Sequence, residues 1–235
     1  MTERLPVEDM GLHAQSWNLT GASISGGQSV SGQSQSVRSD GGGLWRLRAG
    51  FKLRTPADMK KWRAFGARLD GGATSIVVPR IEAGLKVQLE GTETVESATH
   101  SDGSTLSDGS EYDVIPEVSA SPGASAALRA TQMQLAFTSA VVLEGGECFT
   151  IEHATQGDRL YTIHSVVAQA NNTYTVKIRP PLREAITTST VLDFDDPRCL
   201  MRLADPDSWE AEARGLRFAD PSAVFIEHID PQAAA

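Results

Sequence analysis

Few side chains in this 235-residue chain are of types that do chemistry, and their spacing narrows what they could do. The five histidines, His13, His100, His153, His164 and His228, form neither the i, i+4 helical pair of a zinc site nor a set with Cys-x-x-Cys. Cys148 and His153 come nearest to a ligand pair, but they read as two residues flanking a buried strand. Asp193, Asp195 and Asp196 in DFDDP cluster three carboxylates. Acid/base work there would need burial to split their pKa values, and next to Pro197 the cluster reads as a solvated turn. Ser-Asp-Gly-Ser occurs twice, around Asp102 and Asp108. The twelve-residue calcium register with its bidentate acid is absent, and Asp-Gly is a common tight-turn pair. No phosphate loop, dinucleotide fingerprint or G-x-S-x-G elbow occurs. The expectation is a chain with no catalytic residue, no cofactor and no metal.

What the chain does carry is a basic stripe. Arg46, Arg48, Lys52 and Arg54 alternate with Trp45, Leu47, Ala49, Phe51 and Leu53, the period of a half-buried strand with one apolar and one basic face. Such a face is a solvated surface, a phosphate-binding patch or a contact between subunits. Thr55 then stands where an N-cap belongs, Pro56 at the first helical position and Asp58 near the positive end of the helix. Met59, Trp62, Phe65 and Leu69 make one apolar stripe that must lie on something apolar. Gly71 and Gly72 stop the helix, and Thr74 to Val78 is a β-branched run ended by Pro79. Strand, helix and strand therefore form one module, around which the rest of the chain is arranged.

Before this module, Trp17 to Leu19 begins a strand, and residues 22–43 are rich in Ser, Gly and Gln. That composition suits a flexible linker, but the alternation of Ile24, Val30 and Val37 with polar residues favours an extended arm or hairpin leading into Trp45. After it, Leu85 to Leu89 suggests a short strand, and residues 91–127 change character to an insertion or linker. Beyond that, strands are predicted at 133–137, 141–143, 149–151, 160–167, 174–178, 191–194, 200–203 and 223–229, with turns at Gly145-Gly146, Gly157-Asp158 and Asn171-Asn172. Pro180-Pro181 interrupts pairing. The fold class is mainly β: a β-sandwich or barrel with one short packed helix over about 55–69 and a polar arm or hairpin. Residues 1–81 are read as a β module with the helix, 82–127 as an insertion, and 128–235 as a barrel or sandwich whose last strands can return to the first module.

A chain with 40% hydrophobic residues and 235 positions can bury a real core. No apolar run reaches the roughly 18 residues of a membrane span, and the start MTERLPVEDM does not read as a signal peptide. The expectation is a soluble, cytoplasmically made protein with reduced cysteines at Cys148 and Cys199, in which the sequons at Asn18 and Asn171 are chance matches. Residues 1–81 hold 11 Lys and Arg against 6 Asp and Glu, whereas residues 82–235 hold 10 against 24. In a ring of identical subunits the basic part of one copy could meet the acidic part of the next.

The pattern of Trp45, Leu47, Leu53, Pro56, Trp62, Phe65, Gly71, Gly72 and Pro79 resembles the core of the distal tail proteins of long-tailed phages. The later runs GGECFTIE, RLYTIHSV, TVKIRPPLREAI and DFDDPRCLMRL are similar to the second half of distal-tail-like proteins. There a strand set ends in Pro-Pro-Leu-Arg, here Pro180, Pro181, Leu182 and Arg183. The resemblance skips residues 82–127 and brings no catalytic residues. It implies a virion structural protein at the tail tip, assembled in the host cytoplasm as a homo-oligomeric ring of six copies. That ring would join the tail tube protein to the baseplate hub protein, with DNA only passing through its bore and no membrane partner. Arg46, Arg48, Lys52 and Arg54 are then the expected subunit interface, and surplus acid could line the bore. The competing class is a β-sandwich that binds a carbohydrate receptor, for which Trp17, Tyr112 and Trp209 are the aromatics left over from the core.

Overall fold

The structure, a computed structural model, describes residues 2–21, 23–28, 30–38, 42–81, 87–89, 96–98, 112–114, 117–211 and 219–229. Asp102, Asp108 and the Asp40-Gly41 turn signal lie outside them. The fold is mainly β. Its strands are β1 (Leu12–Thr20), β2 (Ser23–Gln28), β3 (Ser34–Arg38), β4 (Leu44–Phe51), β5 (Ile76–Pro79), β6 (Gln88–Leu89), β7 (Glu96–Ala98), β8 (Tyr112–Val114) and β9 (Ser119–Pro122). They continue as β10 (Gln132–Phe137), β11 (Val141–Val142), β12 (Cys148–His153), β13 (Gly157–Ala170), β14 (Thr173–Arg179), β15 (Leu192–Asp193), β16 (Arg198–Leu203) and β17 (Ser222–Glu227). The one α-helix among the described residues, α1, is Pro56–Arg68. No helix there is long and apolar enough to cross a membrane.

The expected strand–helix–strand module is present. Along β4 and just beyond it, Trp45, Leu47, Ala49, Phe51 and Leu53 are buried, while Arg46, Arg48, Lys52 and Arg54 are exposed. The Asp58 N–H donates to Thr55 Oγ1 at 3.1 Å, and Asp58 Oδ2 accepts from the Thr55 N–H at 2.8 Å, a reciprocal cap that fixes where α1 begins. Those backbone donors, Thr55 first, hold the Asp58 carboxyl below its ordinary value. Trp62, Phe65 and Leu69 are buried, with the Trp62 ring 5.0 Å from that of Phe51. Gly71 and Gly72 take positive φ at the helix end.

β4 and β5 are not neighbours. They belong to a five-stranded antiparallel sheet ordered β1-β4-β17-β16-β5, so the two last strands of the chain fill the gap that α1 spans. The outer edge of β5 is covered by the N-terminal segment, where the Leu5 N–H donates to Val77 O and the Val77 N–H donates to Glu3 O. Gln15 of β1 reaches across the seam, donating to Pro79 O at 2.8 Å and accepting from the Ile81 N–H at 3.0 Å. β2 and β3 extend the β1–β4 ribbon as a hairpin that pairs only with itself among the described strands. Between Met10 and Val37 there is no Lys, Arg, Asp or Glu.

The second unit is a closed six-stranded barrel, β10-β14-β13-β12-β15-β9. Leu135, Phe149, Ile151, Tyr161, Ile163, Val176, Ile178 and Phe194 fill it. Its first strand, β9, begins before residue 128, within the stretch read from sequence as insertion, because an alternating run this short and rich in Ser, Ala and Pro looks like a linker. Cys148 and Leu160 point out of the barrel into the core of the sheet unit, which also holds Cys199. Burial pushes the Cys199 thiol pKa up.

Candidate functional site

The predicted basic residues do not act as one patch. Arg46 and Arg48 project from the outer face of β4 into an open basin of about 630 Å³. In register beside them stand Asn18 and Ser16 of β1, with Val224 of β17 on the other side. Neither guanidinium has a carboxylate partner among the described residues. Arg54 instead pairs with Asp220 at 3.1 Å, both side chains about half exposed, an arrangement worth little to stability. Lys52 is exposed beyond the basin, its backbone N–H donating to Gly11 O.

Acidic residues from late in the chain line the same basin: Asp207, Glu210 and Asp220. The charge asymmetry read along the sequence is therefore not an asymmetry in space. The described residues of 1–81 and 194–229, the segments around the sheet unit, together hold 13 Lys and Arg and 12 Asp and Glu. The surplus acid is concentrated in residues 82–116, with eight Asp and Glu against one Lys.

Among the described residues no cluster of three or more His, Cys, Asp or Glu could hold a metal. Cys148 and His153 occupy opposite ends of β12, about 16 Å apart at 3.3 Å per residue. Cys148 Sγ contacts Thr162 Oγ1 at 3.0 Å. The DFDDP carboxylates are occupied structurally. Arg198 binds Asp193 and reaches Asp158 at 3.1 Å and Asp196 at 3.4 Å, Arg4 grips Asp196 with two bonds, and Asp195 accepts from the Val118 N–H.

Two aromatics considered for a receptor cleft are packed. Trp17 meets Trp45 edge to face at 6.2 Å, and Trp209 stacks on Trp62 at 3.7 Å with rings 8° from parallel. A Cβ on Gly66 would lie 2.3 Å from the Trp209 ring, so glycine inside α1 makes room for the stack. The Tyr112 side chain lies outside the described residues.

The most unusual polar group of the molecule went unpredicted. Glu227 is fully buried between sheet and barrel, facing Arg183 at 2.9 Å and Arg159 at 3.7 Å. Glu227 Oε2 also accepts from the Trp45 N–H at 3.1 Å. Arg159 Nη2 donates to Gln156 Oε1, while its Nε and Nη1 have no hydrogen-bond partner among the described residues. A signal existed: in β17 the inward positions Ala223 and Phe225 are followed, two residues on, by Glu227, a charge at a core position.

Beside this network, the Tyr161 hydroxyl accepts from the Arg183 N–H and shares a 2.8 Å hydrogen bond with His153 Nε2. Burial pushes the Tyr161 pKa up and lowers His153 from 6.5 to about 4, Arg159 and Arg183 adding to the fall and Glu184 opposing it. An unfolded histidine binds its proton below about 6.5, whereas the folded one refuses it until about 4. The stabilisation from the neutral ring is complete above that window and falls as pH drops through it, by about 3 kcal/mol in all. Urea titrations from pH 7 to 4 should show this loss, and His153→Gln should shrink it.

No protein-family model matches this chain, and no curated protein matches it.

Proposed function

We propose that this chain is a non-enzymatic structural subunit of a phage tail tip, assembling as a ring, six-fold as the resemblance to distal tail proteins implies, between tail tube and baseplate hub. The observation that carries the reading is the outward face of β4, where Arg46 and Arg48 stand without carboxylate partners in an open basin among the described residues. Asp207, Glu210 and Asp220 line the basin without pairing with either arginine, and a neighbouring copy offers further acid, since residues 82–116 hold eight Asp and Glu against one Lys. The β2–β3 hairpin adds support. It is uncharged over nearly its whole length, and an isolated two-stranded ribbon is marginal in water, so a subunit contact would give it a partner.

The test is charge reversal. Arg46→Glu with Arg48→Glu should weaken assembly while leaving each subunit folded, because both side chains are exposed. Wild-type assembly should weaken with salt, since exposed charges more than about 8 Å apart are largely screened at physiological ionic strength. Sedimentation velocity at low and high salt reads both effects. Unchanged assembly of the double variant would make β4 a solvated face, and tight, salt-dependent DNA binding by the wild type would make it a nucleic-acid site.

A further inference from the structure

The loop after β14 carries Pro180, Pro181, Leu182 and Arg183, and it reaches out of the barrel to the residues that join the hairpin to β4. Gly42 there is buried, has φ +67°, and lies so close to Pro181 that a Cβ would stand 2.1 Å from the proline Cδ. One residue on, Gly43 O accepts from Arg183 Nη2 at 2.6 Å. The same guanidinium is held from behind by Glu227, through Nε at 3.1 Å and Nη2 at 2.9 Å. Glu227 in turn accepts from the Trp45 N–H, and Trp45 Nε1–H donates to Leu160 O at 2.8 Å. The opposite leg of the hairpin is also close, since a Cβ on Gly21 would lie 4.0 Å from Gly43 Cα.

We propose that Pro181 and Arg183 are positioning residues for the hairpin: by gripping Gly42 and Gly43 at its root, the barrel fixes the direction in which β2–β3 leaves the body. The ribbon pairs with no other strand among the described residues, so its root is where that direction is set. The two glycines suit this role chemically. Gly42 leaves space for the proline ring, and the Gly43 carbonyl gives the guanidinium an acceptor that no side chain shields. A charge-assisted bond to a buried guanidinium is stronger and more directional than a neutral one. A change in the barrel that moved the Pro181–Arg183 loop would swing the arm. For the ring, on whose reading this consequence rests, the barrel would then set how one subunit reaches its neighbour.

The experiment places spin labels at Val30→Cys, on the exposed turn of the hairpin, and at Glu152→Cys, exposed on β12. The native Cys148 and Cys199 are buried and serve as an unlabelled background. Pulsed electron resonance, on protein diluted with unlabelled chain, should give one narrow distance distribution. Arg183→Met, Gly42→Ala and Pro181→Ala should each shift or broaden it while far-UV dichroism stays native. Pro181→Ala removes the ring that meets Gly42, with a backbone N–H and a freer φ in its place, and leaves Arg183 and Glu227 intact, so it keeps the test available if Arg183→Met fails to fold. An unchanged distribution in folded variants, or a broad one in the parent protein, would overturn the proposal. A narrow distribution in a chain that never assembles would instead overturn the ring reading and leave the grip standing.

Discussion

Replacing Glu227 by alanine is expected to cost about 3–5 kcal/mol of folding stability, the usual penalty for removing one partner of a buried ion pair. The magnitude follows from what is left behind. Arg159 and Arg183, with 1% and 8% of their side chains exposed, would lose the carboxylate that faces them both. Neither can shed its proton, because a guanidinium stays charged in proteins. Trp45 would also lose the acceptor of its backbone N–H. Glu227→Gln should fall short of this loss, since the amide keeps one acceptor oxygen but no charge. Replacing Glu227, Arg159 and Arg183 together by apolar residues of similar volume should cost far less than the single change, because burying the ions is itself expensive. Urea denaturation of the three proteins measures all of this. A Glu227→Ala protein within 1 kcal/mol of wild type would mean that water reaches the site.

Trp62→Ala is expected to cost a similar amount, about 3–5 kcal/mol, as a buried aromatic truncated to a cavity. Trp62 is 2% exposed and sits between Phe51, at 5.0 Å, and Trp209, stacked at 3.7 Å. Trp209→Ala should cost less, since that ring is only partly buried. The double variant should be less destabilised than the sum of the two by about 0.5–1.5 kcal/mol, the coupling of an aromatic pair. Additive effects would show that the stack contributes nothing beyond its area, and an unchanged melting temperature for Trp62→Ala would remove α1 from the core.

The residues that told most about the fold are those whose burial alternates locally. From Trp45 to Pro79 every signal agrees: period two in β4, the Thr55 cap, the helical stripe, the stopping glycines. Such elements are legible because each is set by neighbours a few residues away. The placement of β16 and β17 between β4 and β5 is not local, and the same alternating pattern would serve any position in the sheet. That one non-local step also misplaced the charge. Asp207, Glu210 and Asp220 look distant from Arg46 in the chain and line the same basin in space.

Trp209 was misjudged for a related reason. An aromatic in a polar loop reads as free, whereas the telling mark was Gly66 inside α1, one turn from Trp62, where glycine costs about 1 kcal/mol relative to alanine and so implies that something packs close. Of the four basic residues proposed as an interface, the alternation correctly predicted exposure, and only Arg46 and Arg48 share the basin without a carboxylate partner among the described residues. Whether such a residue meets solvent, an acid of its own chain or a neighbour depends on contacts that no periodicity encodes.

The proposed role rests on assembly of this chain with copies of itself. It is tested most directly by the mass of the purified wild-type protein in solution, measured by light scattering behind size exclusion at low and at high salt. The expected result is a closed oligomer at low salt, a six-fold multiple of the 25.1 kDa chain, giving way to smaller species as salt rises. A 25.1 kDa monomer at every concentration and salt would contradict it.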